Sequence, residues 1–177
     1  MLPTRRSGFT LVELLIVLVI MTITLGLLSR LLASTASIGP IHRETSRAVE
    51  AARDVIEQMH NMPFREVFAR YNDDPSDDPD GPGTAPGNRF SVDGLEPQVG
   101  DPLGLEGEVV FPAVDGQLRE DVTDSSLGFP RDINADGVVD DEDHASDCIV
   151  LPLVVRIRWT GHSGDRSFEM FTMLADR

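Results

Sequence analysis

Between Asp132 and Asp143 the chain reads DINADGVVDDED, and its first six residues alternate oxygen-bearing side chains with small or apolar ones. Alternation lets Asp132, Asn134 and Asp136 point toward a single centre, and Gly137 permits the sharp turn that brings the chain back around it. The backbone carbonyl of Val138 adds an oxygen, and Val139 is free to pack inward. Asp140, at the ninth position, acts directly or through water, and Asp143, at the twelfth, closes the shell. This many hard oxygen ligands suit Ca²⁺ better than Mg²⁺, which demands a tighter octahedron. The expected metal ligands are therefore Asp132, Asn134, Asp136, Val138, Asp140 and Asp143. Extracellular sites of this type bind with constants of about 10⁻⁴–10⁻³ M. Such a loop fills outside a cell and stays largely empty inside, so it would act as a clamp that sets after export.

Glu13 draws notice for the opposite reason: it is a lone acid in apolar surroundings. Residues 9–29 read FTLVELLIVLVIMTITLGLLS, and no further charge follows until Arg30. A carboxylate within a membrane costs about 2.5–3.5 kcal/mol on insertion scales, so a plain anchor gains nothing from it. Elsewhere the chemistry is sparse. His42, His60, His144 and His162 are scattered, with neither a HExxH pair nor a His/Cys cluster. No G-x-S-x-G turn and no Gly-rich phosphate loop is present. An enzyme is not expected. The one cysteine, Cys148, cannot close an internal disulfide and reads as a small buried apolar residue. The formal net charge of −15 repels phosphate backbones and argues against nucleic-acid binding.

These residues need elements to position them. The apolar run matches the roughly 20 residues that cross a bilayer, and Arg5 and Arg6 before it predict a cytoplasmic N-terminus with the rest exported. Gly39-Pro40 predicts a kink or brief break, because proline lacks a donor and disfavours helix before it. From Ile41 to His60, Ile41, Thr45, Ala48, Val49, Ala52, Val55, Ile56 and Met59 recur at helical spacing and form one stripe to pack on a sheet. Asn61 and Pro63 end that helix, and Phe64–Tyr71 adds a short turn or helix. Residues 72–88, rich in Asp, Pro and Gly, predict a solvated loop. Strands are expected at 89–92, 108–113, 117–122, 149–160 and 167–175, with the reversal at 161–165. Val155, Ile157 and Trp159 alternate with Arg156 and Arg158, so Trp159 is a core residue. Pro152 belongs at a strand start, an edge or a bulge. The fold class is α+β: one long N-terminal helix, half apolar anchor and half amphipathic, against a small antiparallel sheet.

Two resemblances sharpen these expectations. Ser7-Gly8-Phe9-Thr10-Leu11-Val12-Glu13, behind a short basic leader, resembles the processing and methylation site of type IV prepilins and type II secretion pseudopilins. The resemblance implies a cut between Gly8 and Phe9 by a prepilin peptidase, methylation of the new Phe9 amino group, and Glu13 as the assembly acid at the fifth mature position. In a bundle of such helices the Phe9 ammonium of a neighbouring subunit would meet Glu13 and offset its desolvation. The expected organisation is a cleaved leader (1–8), a transmembrane and assembly helix (9–39), an amphipathic helix (40–71) and a β-rich head (72–177). A conventional signal peptide, cut near Ala33–Ser37, is the rival.

The loop 132–143 resembles the calcium loop of dockerin repeats, in which Asp rather than Glu takes the twelfth place. Only one copy is visible, and Leu127-Gly128-Phe129-Pro130 does not read as an entering helix. The expectation is thus a calcium-stabilised loop rather than a cohesin-binding module. The functional expectation is a structural subunit, a minor pilin or pseudopilin, held in the inner membrane with an exported head and then assembled with other pilin or pseudopilin subunits. Helix 41–60, the Met62-Pro63-Phe64 break and the Trp159 hairpin look like those of minor pilins. The alternative is a membrane-anchored, calcium-dependent binding module.

Overall fold

The computed structural model describes residues 10–176, the side chains of 33–38 excepted. The chain divides into two compact units, Met1–Pro40 and Ile41–Arg177. The fold is α+β, with a long N-terminal apolar helix and an antiparallel sheet.

Helix α1 covers Leu11–His60 with Pro40 inside it. Of the kink or brief break expected at Gly39-Pro40, the break is absent, since the helix extends through Pro40. In the first unit, Leu11–Leu32 forms a 22-residue stretch long and apolar enough to cross a membrane, and none of it is buried against protein. Its two threonine hydroxyls are satisfied internally. Thr22 Oγ1 donates to the Val19 carbonyl at 2.8 Å, and Thr24 Oγ1 donates to those of Met21 and Ile20. A hydroxyl bonded to its own helix leaves no unpaired donor facing hydrocarbon.

In the second unit, α1 buries Ala48, Ala52, Val55 and Met59, members of the expected stripe. Two alanines let the helix backbone approach closely what lies beneath. Helix α2 (Phe64–Tyr71) buries Val67, Phe68 and Tyr71. The Phe68 ring meets Phe111 edge-on, with centroids 5.2 Å apart.

The main sheet is fully antiparallel, in the order β1 (Arg89–Phe90), β2 (Gly107–Val110), β5 (Val150–Gly161), β6 (Gly164–Ala175); β3 (Ala113–Val114) and β4 (Gln117–Leu118) make a separate two-stranded ribbon. The expected strand 108–113 is split, since Pro112 cannot donate to a ladder and Ala113 N–H turns back to the Phe111 carbonyl at 2.8 Å. In β5, Leu151, Leu153, Val154, Val155, Ile157 and Trp159 are buried, whereas Arg156 and Arg158 meet Glu169 and Glu108. Pro152 pairs with Met173 of β6, beyond the end of the β2 ladder, where its missing donor faces no partner strand. Cys148 is buried, and burial pushes its thiol up to about 11, so it is an inert core residue.

Candidate functional site

Two places carry the residues singled out by chemistry. At the first, Thr10 precedes α1 and accepts the Glu13 N–H on Oγ1 at 3.2 Å. Thr10-Leu11-Val12-Glu13 is thus a T-x-x-E helix start, with a hydroxyl N-cap and an acid at the third helical position. The acid also lies in the first turn, where the helix dipole favours negative charge. The sequence carried this capping signal, and attention to Glu13 as an anomaly hid it. Gly8 and Phe9, the expected processing residues, lie outside the described residues.

The second place is the acidic loop. Asp132 Oδ1 accepts the Ala135 N–H at 2.6 Å, and Oδ2 accepts the Gly137 N–H at 2.9 Å. Asn134 Oδ1 accepts from Asp136 N–H, and Asp136 Oδ1 from Val138 N–H. These overlapping turns curl the backbone around its own side chains, and Ala135 and Gly137 take left-handed conformations with φ of 64° and 88°. Asp143 points elsewhere: its Oδ1 accepts the N–H of Leu118 in β4 and that of Ala145. Val139, expected to pack inward, is 46% exposed; Ile133 is the residue that anchors the loop, fully buried. Ile133 can do so because its carbonyl accepts from Ile149 and Val150, tying the loop to the start of β5.

Beneath the loop the structure gathers residues that sequence reasoning did not connect. Glu120, just beyond β4, is fully buried. Its Oε1 accepts the N–H of Ile133 at 2.6 Å and of Asn134 at 3.3 Å, while Oε2 has no hydrogen-bond partner. His144, also buried, places Nε2 at 3.0 Å from Asp140 Oδ1 and 4.0 Å from Glu120 Oε2. Its Nδ1 lies 3.1 Å from Asp147 Oδ1, and Asn134 Nδ2 donates to the other Asp147 oxygen. Burial pulls the imidazole pKa down, but the hydrogen bonds to Asp140 and Asp147, with the Glu120 charge, more than reverse this, so it lies above its ordinary value. Among the described residues, Glu120, Asp140 and His144 form a group whose ligating atoms all lie within 4.8 Å of one another. Of the six ligands read from the loop spacing, Asp140 alone belongs to it. Glu120 and His144 were missed because the irregular stretch 121–143 separates them and no ligand spacing rule covers that distance.

Comparison with protein families matches residues 3–29 to a prokaryotic N-terminal methylation motif. The match supports a type IV pilin-like protein and implies processing by prepilin peptidase and assembly with other pilins. With the apolar helix it is consistent with inner-membrane anchoring. Comparisons with curated proteins and with solved structures return no match.

Proposed function

We propose that this chain is a minor pilin or pseudopilin, a structural subunit of a type IV pilus or type II secretion filament. The observation that carries the reading is the methylation motif over residues 3–29, continuous with an apolar stretch that has no protein cover in the lone chain. An uncovered helix of this kind has two favourable environments, lipid and a bundle of its own type. Its work is assembly: peptidase removes residues 1–8, Phe9 is methylated, and the helix moves from the membrane into the filament. Glu13, set in the first helical turn, accepts the Phe9 ammonium of a neighbouring subunit and fixes axial register. In cells carrying the matching assembly machinery, wild-type chain is expected in the sheared or pelleted filament fraction. Glu13→Ala is expected to remain in the membrane fraction, at least tenfold depleted from filaments. Equal incorporation of the two would remove Glu13 from the mechanism.

The head reads as a calcium-clamped module within this role. The curled backbone at 132–138 supports Ca²⁺ held by Asp132, Asn134, Asp136, Val138, Asp140 and Asp143, with Asp140 and Asp143 turning inward from their present partners. Full-length protein in detergent is expected to melt several degrees higher in millimolar Ca²⁺, and Asp136→Ala to abolish the increase. The absence of a shift in wild type would refute a calcium clamp. The second reading, a calcium-dependent binding module on the same anchor, draws on the same loop.

A further inference from the structure

Glu120, Asp140 and His144 form a donor set that the loop's calcium spacing does not describe. From their geometry we infer a distinct divalent-cation site under the loop, one that takes Zn²⁺ through one imidazole nitrogen and two carboxylate oxygens. The inference stands apart from the filament reading and needs neither processing nor assembly.

Three observations carry it. First, the Glu120 side chain is wholly buried, yet Oε2 has no hydrogen-bond partner, although buried polar atoms are nearly always paired. That bare oxygen faces the imidazole from 4.0 Å, too far for a hydrogen bond and suited to an ion between them. Second, the separations fit. Zinc bonds of about 2.0–2.2 Å in tetrahedral array put ligand atoms about 3.3 Å apart. The imidazole stands 3.0 Å from Asp140 and 4.0 Å from Glu120, with all three atoms inside 4.8 Å, so a cation is reached by small side-chain shifts. Third, the ring is already oriented. Asp147 engages Nδ1 at 3.1 Å and is itself held by the Asn134 amide, whose nitrogen also lies 3.3 Å from Nδ1, and Nε2 is aimed at the Asp140 carboxylate. A carboxylate behind a ligating histidine is the usual outer support of a zinc site.

The ligand types set the choice of ion. Ca²⁺ prefers an all-oxygen shell of six or more donors, whereas nitrogen with carboxylates suits a borderline ion with few ligands. Three protein ligands leave one position for water. Asp140 is common to this set and to the calcium loop, so its replacement cannot distinguish the two; Glu120 and His144 belong to this set alone, and Asp136 to the loop alone.

The test uses full-length protein in detergent, stripped with chelator and dialysed against Zn²⁺ in Ca²⁺-free buffer. Bound zinc is measured by elemental analysis, and the histidine nitrogens by NMR. One equivalent of zinc is expected, with the Nε2 resonance of His144 moving on binding while Nδ1 keeps its proton. Glu120→Gln and His144→Gln are expected to weaken binding about 100-fold, and Asp136→Ala to leave it unchanged. A variant with His42, His60 and His162 all changed to Gln is expected to keep the zinc. Should Glu120→Gln fail to fold, the His144 resonance in wild type decides alone. Zinc that leaves this resonance unmoved, binds equally well to His144→Gln, or is lost with the three other histidines would overturn the inference, as would absence of binding to wild type.

Discussion

Glu44 shows how much a single side chain holds together. It projects from α1, accepts the Trp159 Nε1–H at 3.3 Å, and accepts the His162 backbone N–H at 3.1 Å in the β5–β6 turn. Gly161 makes room for it, since a Cβ there would stand 2.3 Å from Glu44 Oε2. The His162 amide holds the carboxyl below the usual range against the opposing effect of burial, with help from Trp159 and Arg166. A depressed folded-state pKa adds stability that is present above the unfolded value, about 4.3, and is lost as pH falls through the folded value. Wild type should therefore melt above Glu44→Gln near neutrality, with the gap closing as pH drops from about 5 toward 3. A gap independent of pH would show that the charge is immaterial. The sequence marked Trp159 as core from its alternation with Arg156 and Arg158, and the structure agrees. Glu44 lies off the apolar stripe of α1, and helical periodicity says nothing about a strand turn far along the chain. Glu120 escaped notice for the same reason, as one more acid in an acidic region.

Among the elements, the hairpin β5–β6 and the inner stripe of α1 were the most legible, since period-two and period-3.6 patterns run long enough there to be unambiguous. Met59 lies on that stripe and is 1% exposed. Met59→Ala should cost about 2–5 kcal/mol in denaturant unfolding through lost contacts and residual cavity; a cost below about 0.5 kcal/mol would mean that the helix does not anchor this core. The short strands were less legible, because two residues carry no period. Strand β1 owes its place to a packing detail: Phe90 lies over its cross-strand partner Gly107, where an added Cβ would meet the ring at 2.2 Å. Gly107→Ala should destabilise by about 1–3 kcal/mol through overpacking, which a melting curve would reveal. Nothing in the local sequence announces that glycine as a seat for a ring.

At the scale of the whole molecule, an acidic chain of net charge −15 carries an apolar helix that its own protein leaves uncovered. Under the proposed function the N-terminal motif, legible from a handful of residues, accounts for the pairing of these parts: a helix that leaves lipid for a bundle, and a head that faces water. The strand order and the cluster beneath the loop depend on long-range contacts and had no local signature. Processing as a prepilin is what the proposed function requires of this chain first. Its most direct test is the intact mass and N-terminal sequence after co-expression with a prepilin peptidase. The expected product begins at Phe9 and carries one added methyl group. A chain that still begins at Met1, or one that begins near Ser37, would contradict it.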